Sequence, residues 1–236
     1  MTSVDAQSRF EVNRPIDVDV VGLDRGMQFP SVFPPQTSWY TDRGKRTIDV
    51  ILALTALLVF SPVLVAIAIL VRVKLGSGGV FYRQQRVGRD GNSFDIYKYR
   101  SMLPDRRTNQ QPFVGLDRRV SHKSDDDPRH TPFGRFLRAN SFDELPQLVN
   151  VLKGDMSLVG PRPELVTVAE KNGFASHPRH RERPGMTGLF QISELRSTNQ
   201  ISAGLHLDIA YVADVRLRRD VSILWRTIGV LFGRRR

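Results

Sequence analysis

The stretch Ser141–Glu164, SFDELPQLVNVLKGDMSLVGPRPE, sets two carboxylates, Asp143 and Glu144, side by side and ends with Arg162 clamped between prolines. One account is phosphate chemistry, with the acids as reacting groups and the arginine as the partner of an anion. The plainer account is helix capping. Ser141 and Glu144 have the spacing of a capping box, which predicts Asp143 and Glu144 in the first turn of a helix. Leu145, Leu148, Val149 and Leu152 follow at helical spacing, and Gly154 is a natural terminator. On this stretch alone capping is the stronger reading, because such boxes are common. Pro146 is discordant, since its ring strains a helix start.

The elements around these residues fix what they can meet. The chain has 236 residues, enough for one sizeable core, and carries 35 Lys+Arg against 24 Asp+Glu, a net charge of +11. That excess points to an anionic partner such as nucleic acid, acidic lipid or a phosphorylated small molecule. The absence of cysteine removes disulfides and thiolate metal sites. Residues 1–40 show neither helical nor strand period and no secretory signal, so a disordered tail is expected there.

From Val50 to Val71 the chain reads VILALTALLVFSPVLVAIAILV, without a charge. As one straight helix it would span about 33 Å, enough to cross a bilayer core. Ser61-Pro62 breaks it midway, and bases flank both ends: Arg43, Lys45 and Arg46 before, Arg72 and Lys74 after. A helix that enters, bends and returns keeps both flanks on the cytoplasmic face. A proline-kinked spanning helix is the alternative.

Beyond it, VFYRQQRVGRDGNSFDIYKYR (Val80–Arg100) predicts two strands around an Arg89–Asn92 turn. Met102–His130 reads as a long loop, and Thr131-Pro132 opens a short helix ending near Ala139. The four bases of Arg179–Arg183 suit a solvated or lipid-facing loop. Val221, Leu224, Trp225, Ile228, Leu231 and Phe232 mark one face of a C-terminal helix, followed by Arg234–Arg236; core packing and an interfacial position both fit, with the tryptophan and arginines favouring the interface on anionic lipid.

Taken together, these pieces resemble the bacterial sugar transferases, monotopic phosphoglycosyl transferases that make polyprenyl-diphosphate sugars. The resemblance covers roughly Gly44 to Phe232: the Lys45-Arg46-x-x-Asp49 opening, the Ser61-Pro62 break, FYRQQRVGRDGNSFDIYKYRSM, FGRFLRANSFDELPQLVNVLKGDMSLVGPRPE and RPGMTGLFQI. It implies a re-entrant membrane helix and transfer of a sugar 1-phosphate from a UDP-sugar to polyprenyl (undecaprenyl) phosphate, with UMP released. It further implies ping-pong chemistry through a phosphosugar on Asp143, with Glu144 as partner and Mg2+ on Asp143 and the diphosphate. Lys98, Arg138 and Arg162 match family bases, Arg196 matches less closely because QISELRSTNQ departs from the family's Gly-Arg turn, and Asp208 matches an aspartate without an assigned role. Stationary positive charge is what two reacting polyanions require.

The expected fold is α/β and mostly helical. It comprises a re-entrant membrane helix over 41–75 and a catalytic domain over 76–236 with a β-hairpin and amphipathic interfacial helices, on the cytoplasmic face of a bacterial inner membrane. A nucleic-acid-binding protein leaves the apolar run unexplained. A catalytically silent scaffold of the same fold finds no support, because both acids are present.

Overall fold

The computed structural model describes residues 38–104, 129–171, 177–193 and 202–233. The expected tail up to residue 37, most of the 102–130 loop, Arg196 and Arg234–Arg236 lie outside them. Within the described residues the fold is mostly helical, with a three-stranded antiparallel sheet and a two-stranded parallel one.

A π-helical turn, Tyr40–Gly44, leads into α1 (Lys45–Val59), which meets α2 (Ser61–Lys74) at a bend of 64°. The sequence explains the bend. Pro62 has no N–H for the Leu58 carbonyl, and Ser61 Oγ donates to that carbonyl instead at 2.8 Å. No single described helix is long and apolar enough to cross a membrane.

The inner faces of the two helices build much of the core. Ala53 of α1 packs with Ile96, Leu148, Val151 and Met156. Ile67 and Val71 of α2 pack with Leu75, Tyr99 and Leu137. Full burial of such a valine or isoleucine contributes roughly 1.5–3 kcal/mol, so the apolar segment and the polar domain share one packing problem. The outer faces expose Leu54, Leu58, Phe60, Val65 and Val73.

Two of the flanking bases are spent inside the protein. Lys45 Nζ pairs with buried Asp220 at 2.5 Å, an acceptor shared with the Tyr40 hydroxyl. Arg46 donates to the carbonyls of Val151 and Leu152, at 2.5 and 2.8 Å. Asp49 accepts from Ser157 Oγ and from the Leu158 N–H. Lys45 and Arg46 therefore have protein partners of their own at the start of α1.

The hairpin forms as expected: β1 (Phe81–Val87) pairs with β2 (Ser93–Tyr99), and Asp90 turns at φ 56°. After β2 the chain closes a neck, where Met102 bridges His130 and the Leu103 N–H donates to the Arg129 carbonyl. Helix α3 (Pro132–Ala139) begins as expected, with the Thr131 hydroxyl accepting from the Gly134 N–H at 3.0 Å.

The capping box does not form. Ser141 adopts the left-handed conformation, φ 57°, and its side chain caps nothing. Phe142–Glu144 make a 3₁₀ turn, and α4 (Gln147–Lys153) starts only after Pro146, ending at left-handed Gly154. Proline tolerates the boundary of a helix and not its interior, so the α-helix starts beyond the two acids.

Strand β3 (Ser157–Val159) then leads to β4 (Glu164–Leu165), which joins the hairpin through β1. Short α5 (Val166–Lys171), a 3₁₀ turn at Pro178–Arg181 and β5 (Gly185–Thr187), parallel to β3, follow. A Cβ on Gly185 would lie 2.1 Å from the Gly160 nitrogen, so this crossing admits only glycine. Helices α6 (Leu189–Ile192), α7 (Ser202–Val212) and α8 (Leu217–Gly233) are the last of the described elements. On α8, Ile223 is buried with Leu224 beside it, while Val221, Trp225 and Ile228 face outward; Trp225 is 76% exposed. The expected apolar face thus splits, with Leu224 packing inward.

Candidate active site

Three local devices bring the charged groups together. On β2, Lys98 leaves the same strand face as buried Ile96, two residues back. The strand is fixed against α4 by Asn150, whose Oδ1 accepts from the Tyr97 N–H at 2.9 Å and whose Nδ2 donates to the Asp95 carbonyl at 2.7 Å. Lys98 Nζ then meets Glu144 Oε1 at 2.5 Å.

Gly134 sets the second device. A Cβ there would lie 1.9 Å from the Ser101 carbonyl oxygen, so glycine lets α3 sit directly on the end of the hairpin. Arg138, one turn later, donates from Nη1 to the Ser101 carbonyl at 3.1 Å and to Ser101 Oγ at 3.3 Å.

The third device is the Pro161-Arg162-Pro163 segment. Its Gly160 N–H donates to the Thr187 carbonyl, its Pro161 carbonyl accepts from the Gly185 N–H, and its Pro163 carbonyl accepts from Arg86. The exposed Arg162 guanidinium lies over the Phe190 ring, 5.6 Å from its centroid.

These contacts give the two acids opposite environments. Asp143 is 8% exposed. Burial raises its carboxyl above the usual range, with Glu144 adding to the rise and Lys98 and Arg138 opposing it. The α-helix starts only beyond Asp143, so desolvation dominates there. For Glu144 burial also resists charge, but Lys98, then Arg162 and Arg86, outweigh it and hold the carboxyl low. Its side chain, 40% accessible, is the more open of the pair.

Lys98 and Arg138 thus act on Asp143, and Lys98 and Arg162 on Glu144, as the two acids' shifts record. Ser61 and Pro62 lie at the bend, away from the dyad in the chain. Among the described residues no three His, Cys, Asp or Glu side chains converge. Magnesium is usually held by one or two carboxylates plus substrate phosphates, and the hard, desolvated Asp143 oxygen fits that donor set.

Sequence reasoning missed four residues that shape the site: Ser101, Arg86, Phe190 and Arg179. Arg179 was expected in a solvated or lipid-facing loop. Instead it is buried and forms a 2.6 Å ion pair with Asp208, and Arg183 donates to the Gly154 carbonyl at 2.9 Å. The density of bases in RHRER was the available signal, but a partner so far along the chain is invisible in local sequence.

A family model described as bacterial sugar transferase matches residues 40–234. The exopolysaccharide production protein ExoY of Rhizobium meliloti is 37% identical over 213 residues, covering 86% of this chain and 93% of its own. The undecaprenyl-phosphate galactose phosphotransferase of Salmonella typhimurium is 38% identical over 196 residues, 80% of this chain and 40% of its own. The UDP-glucose:undecaprenyl-phosphate glucose-1-phosphate transferase of Escherichia coli is 38% identical over 194 residues, 78% and 39% respectively. The chain spans about two fifths of the length of several such relatives. The match across nearly the whole described chain, together with the charged site built around Asp143 and Glu144, shows that the chain belongs to the bacterial sugar transferase family.

Proposed function

We propose that this chain transfers a sugar 1-phosphate from a UDP-sugar to polyprenyl phosphate, initiating exopolysaccharide or a related glycoconjugate. The observation that carries the reading is the division of the dyad: a buried, desolvated Asp143 beside a Glu144 held low by Lys98 and arginines. Environments that drive neighbouring acids apart divide their roles.

Asp143, stripped of water, is the nucleophile. One carboxylate oxygen attacks the sugar-bearing phosphorus of the donor, the bond from that phosphorus to the bridging oxygen breaks, and UMP leaves with the electron pair. A phosphate oxygen of the polyprenyl acceptor then attacks the same phosphorus and frees the Asp143 carboxylate. Glu144, kept ionised, is suited to orient Lys98 rather than to carry a proton. Arg138 and Arg162 offset the charge gathered on the phosphates. Mg2+ held by Asp143 and the diphosphate would supply further neutralisation of the leaving nucleotide.

The exposed apolar faces of α1, α2 and α8 support a monotopic position on the cytoplasmic face of the inner membrane, where the lipid acceptor resides. Relatives named for glucose and galactose make UDP-glucose and UDP-galactose the first donors to test. The full chain in detergent, given undecaprenyl phosphate and either donor, should release UMP. Donor alone should leave a hexose phosphate on the peptide containing Asp143. Absence of UMP release with any donor of a UDP-sugar panel overturns the reading.

A further inference from the structure

Arg162 is exposed at its side chain, yet its main chain is enclosed by a buried ion pair. Asp208 Oδ1 accepts from the Arg162 N–H at 3.4 Å. Arg179 Nη2 donates to the Arg162 carbonyl at 2.6 Å, and the same nitrogen pairs with Asp208 Oδ2 at 2.6 Å. The three residues close a ring: aspartate on the amide, arginine on the carbonyl, and the two charges on each other. Both side chains of the pair are almost wholly buried, at 3% for Arg179 and 4% for Asp208.

A buried ion pair is a poor source of net stability, because desolvation takes back much of the attraction. What it supplies here is direction. Prolines on both sides of Arg162 lack N–H groups, so the Arg162 amide is the one main-chain donor between Gly160 and Glu164. Asp208 occupies it. Phe190 lies beneath the guanidinium at 5.6 Å and confines its plane, and Phe190 is itself buried against α7, where a Cβ on Gly204 would come within 2.4 Å of the ring. The backbone and the side chain of Arg162 are therefore fixed from two different elements.

We propose that Arg179 and Asp208 are positioning residues whose buried ion pair brackets the Arg162 main chain and aims its guanidinium at the donor diphosphate. This rests on the proposed function, which assigns Arg162 to the diphosphate. Asp208 and Arg179 touch no substrate themselves. They act through Arg162, and their effect must vanish when Arg162 has no guanidinium to aim.

The test is a kinetic double-mutant cycle on the full chain in detergent, with UMP release from the UDP-sugar as readout. Asp208→Asn keeps an acceptor of the same shape and removes the charge; Arg179→Gln removes the other partner and serves if the first variant does not fold. Each should lower kcat/KM roughly 10- to 100-fold. In an Arg162→Ala background either change should cost less than about twofold more, as coupled sites require. Losses that multiply in the two backgrounds overturn the proposal, since a general structural role acts with or without Arg162. Hydrogen exchange of the wild-type chain tests the ring without activity: the Arg162 amide should exchange slowly, and rapid exchange overturns the bracket. A wild type that exchanges slowly but releases no UMP removes the proposed function and leaves the bracket standing.

Discussion

Lys98 Nζ stands 2.5 Å from Glu144 Oε1, while Asp143, the adjacent acid, is the more deeply buried of the two. The ammonium engages one carboxylate directly and reaches the other only through its field. Lys98→Met should lower the rate of UMP release by about 100-fold or more. The pair is partly exposed, so the same change should cost at most about 1 kcal/mol of stability. Parallel rate and melting measurements on this variant check both halves; a large loss of stability with modest loss of rate would reverse the assignment.

Asp143→Asn should abolish the phosphosugar adduct and reduce turnover by several orders of magnitude. Glu144→Gln should be nearly as damaging to rate, yet it should melt close to wild type, because Ser141 and Glu144 form no capping box. Intact-mass measurement after donor addition, together with thermal unfolding, distinguishes the two acids. Turnover of Asp143→Asn within tenfold of wild type would remove it as nucleophile.

Arg46 joins the first helix to the helix after the dyad by two charge-assisted bonds to the last carbonyls of α4. Arg46→Met leaves those carbonyls without that donor at the negative end of the helix and should destabilise the chain by roughly 2 kcal/mol. Denaturant unfolding in detergent measures this. A change below about 0.5 kcal/mol would mean water replaces the guanidinium fully.

His177 is held neutral: burial, reinforced by the Arg179 charge, lowers its pKa to about 4. An unfolded histidine takes its proton near pH 6.5. Between those values the unfolded chain binds more protons, so stability present above pH 6.5 is lost as pH falls toward 4. The loss attributable to His177 should be about 3 kcal/mol across that window. His177→Gln should flatten this part of the stability profile relative to wild type, and parallel profiles would contradict the shift.

The 64° bend at Ser61-Pro62 allows a test of re-entry. If the segment re-enters, tags at residue 2 and at the C-terminus should both be shielded from reagents outside the cell. Replacing Ser61 and Pro62 by leucine restores an N–H for the Leu58 carbonyl and favours a straight helix, which should move the N-terminal tag outside. External labelling of the wild-type N-terminus would exclude re-entry.

Much of the scaffold was legible in short-range signals. The hairpin turn at Arg89–Asn92, the Thr131-Pro132 start and the Gly154 stop each depend on residues a few positions apart. The Ser-x-x-Glu pattern misled because Pro146 shifts the helix start beyond the acids. The charges were the least legible. Lys98 meets Glu144 across 46 positions, and Lys45 meets Asp220 across 175. Local sequence shows a base without showing its partner, so Lys45 and Arg46 read as flanks of the apolar segment and Arg179 as a loop charge, and the internal partner of each stayed out of sight.

Asn150 has a consequence for how the molecules behave in company. Its amide imitates a neighbouring strand, taking the Tyr97 N–H and the Asp95 carbonyl on the outer side of β2. A three-stranded sheet with a bare margin is a template for another chain's backbone. Here that margin is occupied by one side chain of a helix belonging to the same molecule. Wherever copies crowd together, this stretch of β2 offers no ladder for a second copy to extend.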